Sequence, residues 1–61
     1  MNTYDEILAA ITVAQTISTL RDLEAVIIDT YIAREITADQ VAQLRKAITG
    51  RENAIAQLAT A

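Results

Sequence analysis

The chain of 61 residues contains no cysteine, no histidine, no proline, no tryptophan and no phenylalanine, and only one glycine. Each absence excludes something. Without cysteine there is no disulfide, although domains of this size are usually stapled by a disulfide, a metal or a partner chain. Without histidine, a metal site would need a cluster of carboxylates, and the spacing of the acidic residues offers none. Nucleophilic catalysis wants a Ser, Cys or Thr activated by a base such as His, so the chain reads as a non-enzyme. A single glycine rules out a phosphate-cradling glycine loop, and no EF-hand spacing is present. No cofactor and no small-molecule ligand is expected.

The apolar runs are too short for a membrane span, which needs about 20 residues. The run Ile7–Ala14 follows Asp5 and Glu6 rather than a basic segment, so it does not read as a secretory signal. A cytoplasmic location is the resulting expectation. The formal charge of −3 repels phosphate backbones, so nucleic acid is not the expected partner.

What is present favours helix. Alanine is abundant and has the best helix propensity, and no proline interrupts it. With only Tyr4 and Tyr31 as aromatics, the core must be built from Ile, Leu, Val and Ala. The length allows a single small domain, residues 1–61, which buries only about 60% of its unfolded surface.

Three helices are expected. Thr3-Tyr4-Asp5-Glu6 has the spacing of a capping box, and Tyr4, Ile7, Leu8, Ile11 and Ala14 share a face. This predicts a helix over about 4–15. The phase changes over Thr16–Thr19, where a break is expected, Thr19 with Asp22 repeating the cap spacing. One bent helix is the alternative. A second helix over about 20–34 carries a main stripe of Leu20, Leu23, Ile27 and Tyr31. Ile28 and Ile32 lie off that stripe on a second apolar side.

The turn that follows has the clearest signal. Thr37 with Gln40 forms a capping box, and Ile36 with Val41 a hydrophobic staple. A third helix then runs over about 38–59. Val41, Leu44, Ile48, Arg51, Ile55 and Leu58 are spaced 3-4-3-4-3, with Arg51 the polar member of the stripe. The phase is unbroken across Gly50, which carries the helix through it, a C-cap at Gly50 being the alternative. Ala47, Gly50 and Ala54 make a strip without bulk. The fold class is therefore all-α: an antiparallel helical hairpin with an additional N-terminal helix.

Leu20-x-x-Leu23 followed by Ile36-Thr37-x-x-Gln40-x-x-x-Leu44 resembles the short C-terminal helical-hairpin motif called SHOCT, over residues 20–48. Where that motif usually has glycine before the isoleucine, this chain has Arg34-Glu35. The resemblance implies a helical hairpin and an oligomerising or adaptor role.

The two apolar sides of the second helix and the overhang of the third leave more surface than the first helix can cover. The candidate protein-interface residues are Ile28, Ile32, Gly50, Arg51, Ile55 and Leu58, and the expected partner is a protein or a second copy, as a homodimer. Arg51 either snorkels along its stripe or pairs across an interface. Tyr4 and Tyr31 read as core residues with wet hydroxyls. Arg45, Lys46 and Arg51 are the one basic concentration. The leading function is a non-enzymatic protein-interaction module. The alternatives are a phage- or plasmid-type regulator of a host protein and a nucleic-acid-associated regulator. The acidic balance predicts no sub-micromolar binding of mixed-sequence duplex DNA in low-salt gel shifts. Tight binding that weakens steeply with salt would reverse this expectation.

Overall fold

The computed structural model describes residues 3–60, and side chains through residue 58. It contains three helices: α1 (Thr3–Val13), α2 (Ile17–Ile32) and α3 (Ala38–Thr60). Among the described residues there is no strand. The chain is the expected hairpin of α2 and α3 with α1 packed on it.

α3 is the spine. Its 23 residues make a rod of about 34 Å, most of the 40 Å long axis of the molecule. α1 and α2 each pack more heavily on α3 than on each other. The Tyr4 hydroxyl donates to Oε1 of Gln43 at 2.8 Å, and Nε of Arg51 donates to the Ala14 carbonyl at 2.6 Å. These two bonds tie the start of α1 to residue 43 and its end to residue 51. α1 therefore runs parallel to α3, and α2 runs antiparallel to both.

The core consists of Ile7, Ile11, Ala14, Leu20, Ile27, Ile36, Leu44 and Ile48. Tyr4, Leu8, Leu23, Val41, Ala47 and Ile55 pack against it. Burying each large aliphatic side chain contributes about 1.5–3 kcal/mol, and no disulfide adds to this. Thr30 is the one buried polar residue among those described, and its hydroxyl donates to the Val26 carbonyl at 2.6 Å.

The helix ends show where local chemistry set the boundaries. The turn before α3 forms as its sequence predicts. The Thr37 N–H donates to Oε1 of Gln40 at 2.9 Å, and the Gln40 N–H donates to the Thr37 hydroxyl at 3.2 Å. Ile36 is buried and Val41 half-buried in the same apolar cluster, as a staple requires.

The start of α2 differs from the expectation. The cap is Thr16, not Thr19, and the helix begins at Ile17 rather than 20. Thr16 is extended, and its hydroxyl accepts the Thr19 N–H at 3.2 Å. The Thr19 hydroxyl bonds that of Thr16 at 2.8 Å. Thr19 is thus used as the partner of the cap. α1 ends at Val13, so the break falls at 14–16, earlier than the expected 16–19. Thr3 is itself the first helical residue of α1.

α2 stops two residues short of the expected 34. Ala33 is its C-cap, and Arg34 takes a left-handed conformation with φ of 63°. The Arg34 N–H bonds the Tyr31 carbonyl at 2.9 Å and the Glu35 N–H bonds the Thr30 carbonyl at 3.0 Å. This is the Schellman arrangement with arginine where glycine is usual.

α3 continues through Gly50, as the unbroken phase predicts. A Cβ added there would meet nothing within 4 Å. Gly50→Ala is therefore expected to stabilise the fold by about 0.5–1 kcal/mol, the conformational penalty of a helical glycine. Thr37→Ala is expected to destabilise it by about 1 kcal/mol through loss of the cap. Urea unfolding followed by circular dichroism measures both. A shift of the midpoint in the wrong direction for either variant refutes the corresponding account.

Candidate interaction surface

The side of α2 turned away from the core is built by helix phase. Leu20, Leu23, Ile27 and Thr30, spaced 3-4-3, face inward. Thr30 rather than Tyr31 completes that stripe, because its hydroxyl is satisfied within the helix. Tyr31 consequently turns outward and is 48% exposed, which corrects its expected core placement. Tyr4 does pack on the core, with its hydroxyl on Gln43.

Ile28 and Ile32 lie on the same outward side as Tyr31, 57% and 71% exposed. Ile17 joins them at the start of the helix, and Val13 is exposed at the adjoining end of α1. Arg21 and Glu24 occupy the middle of the outward side and pair at 3.2 Å. An exposed pair of this kind contributes at most about 1 kcal/mol. Along the α3 side runs a shallow furrow lined by Glu24, Ile27, Ile28, Val41 and Arg45. A second, more polar furrow is lined by Arg21, Glu24, Arg45, Ile48, Thr49 and Glu52.

The six sequence candidates do not form one site. Ile28 and Ile32 share the outward side of α2. Gly50 faces open space on α3. Ile55 is half-buried against the core, and Leu58 is exposed near the end of α3. Arg51 is held inside the chain, half-buried, on the Ala14 carbonyl. There it supplies a cation to the negative end of the α1 dipole and a donor for a carbonyl left beyond the last turn. Ile17 and Val13 were not among the candidates. Ile17 sits where a helix break was expected, so its phase relative to Ile28 was not visible.

The basic concentration also divides. Arg51 is engaged with α1, Arg45 borders the α2 furrows, and Lys46 is exposed about 100° further around α3. No common cationic face results. No helix of the described residues is long and apolar enough to cross a membrane. Among those residues no three carboxylates come together in a way that would hold a metal ion, and no buried side-chain polar atom lacks a hydrogen-bond partner.

Comparison with protein-family models, curated proteins and solved structures returns no match.

Arg51→Met keeps the aliphatic stem and removes the donor. It is expected to destabilise the fold by about 1.5 kcal/mol, the low end for a charged hydrogen bond because Arg51 is only half-buried. Amide exchange should accelerate most in α1. Equal acceleration in all three helices would show that Arg51 does not hold α1 in particular.

Proposed function

We propose that the chain is a non-enzymatic protein-interaction module that works in the cytoplasm by binding a protein or a copy of itself. The observation that carries this reading is the row of large apolar side chains on the outward side of α2, chiefly Ile28, Tyr31 and Ile32. Exposed apolar residues scattered singly are ordinary, but contiguous ones mark interaction sites. Here they lie together on one helix side of a chain whose core, among the described residues, holds eight buried apolar side chains. The likeness of residues 20–48 to the SHOCT hairpin, with its oligomerising or adaptor role, supports the same reading.

Ile28→Asp tests it. The side chain is more than half exposed, so the thermal midpoint should change little, while association through this face should be lost. Immobilised parent and variant are compared for capture of purified, untagged parent chain and of proteins from nuclease-treated lysate. Retention that is equal for both baits rejects the α2 face as an interaction surface, and so does retention absent for both when the parent chain also sediments as a monomer up to about 1 mM.

A further inference from the structure

We propose that the occupant of the α2 face is a second copy of this chain, docked antiparallel along the seam Ile17–Arg21–Glu24–Ile28. The inference rests on the interaction reading above and adds its partner and register. Along this seam the spacing is 4-3-4, which keeps all four residues on one side of a helix. The order is apolar, basic, acidic, apolar. Spacing and order are both suited to their own reversal. A two-fold axis between Arg21 and Glu24 sets Ile17 of each copy against Ile28 of the other, and Arg21 of each against Glu24 of the other. Such self-complementarity is what an isologous contact requires.

Three observations fit this register. Arg21 and Glu24 already lie 3.2 Å apart on the surface, so the dimer closes two pairs into one alternating four-charge cluster rather than opposing like charges. All four seam residues are at least partly exposed, Ile17 37% and Ile28 57%. The same register carries Ile32, 71% exposed, past Ile17 of the second copy. Two of the most exposed aliphatic residues, Ile28 and Ile32, thereby lie along one docked helix pair. A single helix–helix contact buries less than the roughly 800 Å² per partner of a standard interface, so the dimer is expected to be weak, with a dissociation constant of about hundreds of micromolar.

Charge exchange provides the test. Arg21→Glu and Glu24→Arg, each alone, set like charges against each other twice across the axis, and association should weaken at least about tenfold. The two variants are complementary to one another, so their equimolar mixture should associate as the parent does. The double variant Arg21→Glu/Glu24→Arg restores both pairs and should also recover. Sedimentation equilibrium over about 20–1,000 µM reads all five samples, with circular dichroism confirming that each is folded. Single variants that associate as well as the parent, or a mixture no tighter than its components, overturn the seam while leaving the interaction reading intact. A parent that stays monomeric throughout overturns the second copy as occupant. Capture of a different protein that depends on Ile28 would still uphold the interaction reading in that case.

Discussion

Leu44 and Ile48, one turn apart on α3, form the wall on which both other helices close. Both are almost completely buried, and α1 and α2 reach them from opposite flanks. On one flank Gln43 and Arg51 meet α1. On the other Arg45 and Glu52 border α2. A chain of this length has no second layer to fall back on. Everything else in the structure depends on α3 presenting one apolar row to two partners. Five of the eight core residues are isoleucine, whose stiff side chain loses little freedom when buried. That suits a core with few members.

Composition also governs how the helices end. With one glycine and no proline, the usual stop residues are missing, and side chains do the work. Thr16 and Thr37 start α2 and α3 through their hydroxyls. Arg51 finishes α1 from 37 residues away. Arg34 finishes α2 by accepting a backbone conformation that glycine would take freely, at about 1–2 kcal/mol. Three of these four solutions act within a few residues of the helix end they close, and only the Arg51 bond reaches across the chain.

The Thr37/Gln40 box and the staple around it were legible because every participant lies within six residues. The unbroken 3-4 spacing of α3 was legible through Gly50 because one helical period runs through the whole stripe from Val41 to Leu58. The start of α2 was not, because the Thr19/Asp22 spacing points to Thr19 as the cap, whereas the Thr19 N–H is itself taken by the Thr16 hydroxyl. The exchange of Thr30 for Tyr31 was hidden because hydrophobicity favours tyrosine inside, while an internal hydroxyl bond makes threonine equally acceptable there. Of the candidate surface, Ile28 and Ile32 were found from phase alone. Ile17 was missed with the boundary that positions it. Arg51 was noticed as the odd member of its stripe, but its acceptor is a backbone carbonyl, and no side-chain pattern encodes that.

The dependence of α1 and α2 on α3 has a consequence for the order of events on the ribosome. The helix that supplies the shared wall is translated last of the three. When α1 and α2 have emerged, Ile7, Ile11, Leu20 and Ile27 have only each other, and the carbonyl of Ala14 has no cation to meet. The first native hairpin that includes the shared wall is α2 with α3, joined at the Thr37 turn. α1, though earliest in the chain, docks only when residue 51 has been added. Until then the apolar segments of α1 and α2 lack their main cover, and uncovered segments of this kind are prone to misassembly. The interval from α2 to residue 51 is short, since synthesis proceeds at about 5–20 residues per second.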